Sequence, residues 1–104
     1  MINIFFSQEY ENHDTGNHPE SIERIKVVNN LINEVYSKHN FIEPTIADKK
    51  IISLVHDLEY VNKIFNSIPN SGFTYFDPDT IACPNSLKSY LLAAGGSIDA
   101  VKYI

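Results

Sequence analysis

The sequence predicts an α/β chain, mostly helical with one or two strands, forming a single unit over residues 1–104. Three observations lead there. An Ile- and Phe-rich run opens the chain, apolar residues then recur at three- and four-residue spacings in three later segments, and Pro and Gly clusters separate those segments. With 43% apolar and 20% charged residues, the composition is globular rather than disordered.

Residues 2–6 (Ile2-Asn3-Ile4-Phe5-Phe6) read as a buried strand. They lack the basic start and small-residue cleavage site of a signal peptide. Residues 7–17 are polar and hold Gly16, which predicts a loop. Pro19 suits a first helical turn, where its missing N–H is not needed. Ile22, Ile25, Val28, Leu31, Ile32 and Val35 then form one apolar stripe, predicting a helix over about residues 19–38 that faces a core. Phe41 to Ala47, with Pro44, is extended or loop.

A second helical region begins near Asp48 and keeps its spacing from Ile51 to about residue 67. His56-Asp57 divides it in two, with Asp57 placed to cap the second part. Pro69-Asn70-Ser71-Gly72 ends it. The segment Phe76-Asp77-Pro78-Asp79-Thr80 is too acidic and Pro-broken for a central strand. A third helix starts near Asn85 or Ser86 and runs through Gly95-Gly96, each glycine costing about 1 kcal/mol relative to Ala. Such a pair is expected where a neighbouring element packs closely. Apolar spacing continues through Ile98, Val101 and Ile104 with no cap beyond, so the chain reads as cut short in mid-helix. One strand cannot satisfy its own backbone. Either Phe73–Tyr75 pairs with it, or further strands lie beyond residue 104.

Charge and composition exclude several function classes. A net charge of −5 without a Lys/Arg run argues against a nucleic-acid partner, which needs a basic face. No apolar run approaches the ~20 residues that span a bilayer, so no membrane role is expected. The one cysteine, Cys83, excludes an internal disulfide and suits a reducing cytoplasm. Cys83 itself reads as a small apolar residue.

The densest chemistry lies in His13-Asp14-Thr15-Gly16-Asn17-His18-Pro19-Glu20, with Arg24 one turn later. A polar loop held between a strand and a helix is a common wall of an active site. Two histidines five residues apart without a cysteine partner make a poor zinc site, so no metal ligand is assigned. His18-Pro19-Glu20 instead fixes the loop against the helix, with Glu20 and Arg24 at an ion-pair spacing. His56 reads as a buried, hydrogen-bonded histidine at a helix junction, and Tyr60 as core.

The phrase HDTGNHPESIERI resembles the first active-site loop and helix of the histone deacetylase superfamily, particularly its bacterial acetoin-utilisation and acetylpolyamine amidohydrolase types. ISLVHDLEYVNKI at residues 52–64 resembles a family segment in which Val-His is followed by Tyr-Val. FDPDTIACPNSLKSYLLAAGGSIDAV at residues 76–101 resembles the family's Asp-containing substrate loop and the helix after it. The resemblance implies the N-terminal part of an arginase/deacetylase-like three-layer αβα fold. It also implies a zinc-dependent amide hydrolase that releases acetate from an acetylated small-molecule amine or an acetyl-lysine.

In that family an Asp-x-His pair and a further Asp hold the metal, a tandem His-His pair moves protons, and a Tyr polarises the carbonyl. This chain has neither a His-His pair nor an Asp-x-His triplet. The expectation is therefore an N-terminal portion with no catalytic residue, metal ligand or cofactor of its own, zinc belonging to the complete enzyme. By resemblance, a carboxylate at the channel rim accepts hydrogen bonds from substrate. Asp79 matches that position better than Asp77, and the same residues also fit a plain Asp-Pro-Asp turn. His18 and Glu20 would border the channel, and Phe76 would stack on the substrate or join the core. The alternative is a small non-catalytic interaction or regulatory module of the same shape. The last helix is expected to be exposed and open to self-association.

Overall fold

The computed structural model describes residues 2–35 and 38–104. Strand β1 (Ile2–Phe5) leads into a short 3₁₀ helix at Gln8–Asn12, then a loop, then helix α1 (Ile22–Val35). Strand β2 (His39–Ile42), α2 (Lys49–Ile52), α3 (Leu58–Asn66), β3 (Thr74–Asp77), β4 (Thr80–Ala82) and α4 (Ser86–Tyr103) follow. The α/β class predicted from the sequence holds.

The partner of β1 is β2, in parallel, with Ile2 opposite His39 and Phe5 opposite Ile42. Parallel pairing needs a crossover, and α1 supplies it. Phe6 extends the ladder by donating its N–H to Ile42 at 3.0 Å. Phe73–Tyr75, one of the two alternatives for a partner of β1, does not pair with it. That segment forms an antiparallel hairpin with β4, carrying an irregularity between Tyr75 and Asp77 and Pro78 in its turn. His39-Asn40 gave no strand signal because both are polar. Pairing with an Ile/Phe strand overrides that weak local preference.

Helix α1 begins at Ile22 rather than at Pro19. The Thr15 hydroxyl donates to the Glu20 carbonyl, and the Glu20 N–H goes to His18 Nδ1 at 3.0 Å. These bonds hold the loop away from helical geometry. The predicted end of this helix crosses residues 36–37, outside the described residues. The segment expected to be all loop contains the 3₁₀ helix, capped by the Ser7 hydroxyl, which accepts the Glu9 N–H at 3.2 Å. Asp48 caps α2 through Lys50 N at 2.7 Å, whereas Asp57 sits at the start of α3 without a side-chain cap bond.

The predicted close approach at Gly95-Gly96 is real. Segment 44–47 crosses α4 there: Ala47 donates its N–H to Leu91 at 3.0 Å, and Thr45 gives its N–H and hydroxyl to the Asp99 carboxylate at 2.8 and 3.0 Å. A Cβ on Gly95 would collide with the Thr45 carbonyl oxygen.

Packing is thin. Val61, Ile81, Ala82, Cys83 and Leu92 form the buried centre where α3, β4 and α4 meet, with Ala47 buried against α4. The stripe on α1 is only half covered: Ile22, Ile25 and Ile32 are partly buried, while Val28, Leu31 and Val35 are exposed. The last helix exposes large apolar residues only at its end, at Val101, Tyr103 and the following Ile104; Leu92 is buried and Leu87, Leu91 and Ile98 are partly buried, so the exposed helix expected from the sequence is found only there. The chain exposes 7140 Å², against about 5,900 Å² for a compact monomer of this size. Its radius of gyration is 14.9 Å, where about 13 Å is usual.

Two assignments need correction. His56 is exposed, not a buried junction residue, and Tyr60 is 46% exposed rather than core. The two rings lie 5.7 Å apart along an apolar cleft of about 330 Å³ between α3 and α4. Helical spacing marks residues on one face, but cannot say whether another element covers that face. Among the described residues, no helix is long and apolar enough to cross a membrane.

Candidate functional site

The 13–20 loop and the β3–β4 hairpin meet on one face, where His18 and Asp79 stand 61 residues apart in sequence. His18 Nε2 stands 3.3 Å from Asp79 Oδ1. Gly16 has a φ of +70° that suits glycine, and a Cβ there would come within ordinary contact of the Phe73 ring. Asp14 donates its N–H to Cys83 Sγ at 3.3 Å, and the thiol reaches the Asn12 carbonyl at 3.3 Å. Each contact is local in space and remote in sequence.

His13 anchors the loop from below. Its Nδ1 lies 2.6 Å from Ser86 Oγ, and its ring meets Tyr90 edge-on at 5.1 Å. Ser86 Oγ also accepts the Cys83 N–H at 2.8 Å and lies 3.3 Å from Cys83 Sγ. Burial pushes the His13 imidazole below its ordinary pKa, outweighing the upward pull of Glu20 and Asp14. The Ser86 hydroxyl thus lies between His13 Nδ1 and Cys83 Sγ, and the ring tautomer sets the direction of its bond to His13. Tyr90 passes its hydroxyl to the Ile81 carbonyl at 2.8 Å, and burial raises its pKa.

The site residues named from sequence fall into two groups. Asp77 turns inward on its own hairpin: Oδ1 accepts the Asp79 N–H at 2.8 Å and Oδ2 accepts the Thr80 hydroxyl at 3.0 Å. Those bonds, the Asp79 N–H first, lower its pKa. Asp79 points outward, its side chain 89% exposed, beside a His18 side chain only 18% exposed. Phe76 is half-buried at the hairpin irregularity. Glu20 stands outside α1, so the helical ion pair expected with Arg24 is not formed. Both residues instead line a cleft of about 590 Å³ between α1 and α4.

That cleft is walled by Tyr10, His13 and Tyr90 as well, with Gly96 at its base. A guanidinium, a carboxylate, an imidazole and two phenols around apolar walls can hold a small polar group. Sequence reading missed Tyr10, Ser86 and Tyr90. Nothing local distinguishes them from other core-facing residues, because their partners lie on other elements.

The donors present do not suit a zinc ion. His13 Nδ1 is bonded to Ser86, His18 Nδ1 accepts a backbone N–H, and the Cys83 thiol is enclosed by backbone groups. Among the described residues, no three His, Cys, Asp or Glu side chains converge as a metal-binding group.

A family model described as a histone deacetylase domain matches residues 18–104. No curated protein matches the chain.

Proposed function

The chain belongs to the histone deacetylase family, and on that premise we propose that it forms the substrate-facing rim of a zinc-dependent amidohydrolase that removes acetyl groups from acetylated amines. The meeting of the two loops at His18 and Asp79 carries this reading. Asp79 offers an exposed carboxylate oxygen to the N–H donors of an acetylated small-molecule amine or acetyl-lysine. Asp77 shapes the turn, and Phe76, Glu20 and His18 border the approach.

In this reading the chain is the N-terminal portion of the enzyme, and zinc with its ligands belongs to residues outside it. Zinc, when bound there, activates water and the acyl oxygen. This chain's residues orient substrate and close the cleft walls. The incomplete cover on α1 and the last helix supports a further protein layer against them. The enclosed Cys83 thiol fits a reducing cytoplasm. The same exposed faces also fit a non-catalytic interaction module. Size-exclusion chromatography with light scattering separates the two, a defined dimer favouring the module and heterogeneous self-association favouring the portion.

The direct test is Asp79→Ala. It should weaken binding of acetyl-lysine methylamide at the loops, followed by NMR shifts, while leaving the melting temperature unchanged. Equal binding by the variant removes Asp79 from the rim. Tightly held zinc with amide cleavage in the purified chain would overturn the division of labour.

A further inference from the structure

We infer that His18 is a positioning residue for Asp79, orienting that carboxylate rather than contacting substrate; the inference rests on the rim reading above. Three bonds define the arrangement. The Glu20 N–H donates to His18 Nδ1 at 3.0 Å, so this nitrogen is an acceptor. With Nδ1 accepting, the ring N–H is the one on Nε2. Nε2 stands 3.3 Å from Asp79 Oδ1. The Asp79 N–H is itself held by Asp77 Oδ1 at 2.8 Å. Backbone and side chain of Asp79 are thus both tethered, and Oδ2 has no hydrogen-bond partner among the described residues.

The burial contrast gives the direction of the effect. The His18 side chain is 18% exposed and Asp79 89% exposed. A mostly buried ring, locked by a backbone donor, holds one end of a carboxylate that would otherwise sample several rotamers. Surface His–Asp pairs contribute little to folding. What the contact supplies is a carboxylate already oriented before ligand arrives, which spares the ordering cost on binding. It also ties the 13–20 loop to the hairpin across the rim.

The test is NMR on the full chain. In the wild type, the His18 ring nitrogens should report the Nε2–H tautomer, and three-bond couplings should report one dominant Asp79 χ1 rotamer. His18→Phe should average the Asp79 rotamers at an unchanged melting temperature, a change that a merely structural histidine would not produce. Should His18→Phe fail to fold, Asp79→Ala probes the same contact from its exposed end. There the Nε2 proton should exchange with water at least tenfold faster than in wild type. A Nδ1–H tautomer, an Asp79 rotamer indifferent to His18, or an exchange rate indifferent to Asp79 overturns the positioning role. Intact coupling with unchanged acetyl-lysine methylamide binding by Asp79→Ala overturns the rim reading instead, and the role with it.

Discussion

Gly95→Ala should destabilise this protein even though alanine is the better helix former. Relieving the interior glycine favours the variant by about 1 kcal/mol. Against it stands the Thr45 carbonyl, which occupies the space of the new methyl group. The obstacle is backbone and is held on both sides, by the Ala47 N–H on Leu91 at 3.0 Å and by Thr45 on Asp99 at 2.8 Å. Moving it gives up at least one of these bonds, about 0.5–1.5 kcal/mol for the neutral one and 1.5–3 for the charged one, besides about 1–3 kcal/mol of overpacking. The net loss is about 2–3 kcal/mol, or roughly 10–20 °C in Tm for a domain this size.

Circular dichroism at 222 nm during heating reads that loss. Gly96→Ala is the control, since its added Cβ meets Pro44 side-chain carbons at 3.3 Å, which need give only a few tenths of an ångström. It should stay within about 1 kcal/mol of wild type. Asp99→Ala should cost less in the Gly95→Ala background than alone, because the crossing segment is already displaced. A Gly95→Ala protein as stable as wild type would refute the crossing at α4.

Three further outcomes follow from the same geometry. Ser86→Ala leaves the enclosed Cys83 N–H without its acceptor and His13 Nδ1 without its partner, so urea unfolding should show a loss of about 1–3 kcal/mol; an unchanged midpoint contradicts the network. Because burial lowers the folded-state pKa of His13, the unfolded chain takes up that proton at the higher pH. Its stabilisation is complete above about pH 6.5 and is lost as pH falls through the folded value. Urea midpoints between pH 7.5 and 5 should decline more steeply in wild type than in His13→Gln, and parallel declines would refute the assignment. His56→Ala, at an exposed site, should change stability by no more than about 0.5 kcal/mol; a drop in Tm of several degrees would restore a structural role for that ring.

Local chemistry was legible wherever the chain carries its own signal. The strand at Ile2–Phe5, the break between α2 and α3, the start of α4 near Ser86 and the close approach at Gly95 follow from apolar runs, their interruptions and an unfavourable glycine pair. The polar loop and the Asp-Pro-Asp turn were marked by residue types whose side chains bond the neighbouring backbone. Tertiary structure alone decided which strand joins β1, that His56 and Tyr60 face an open cleft, and that His18 meets Asp79. The physical reason is common to all three. Spacing and propensity describe how a residue sits on its own element, whereas pairing, cover and side-chain hydrogen bonds depend on a second element brought near by the folding of everything between.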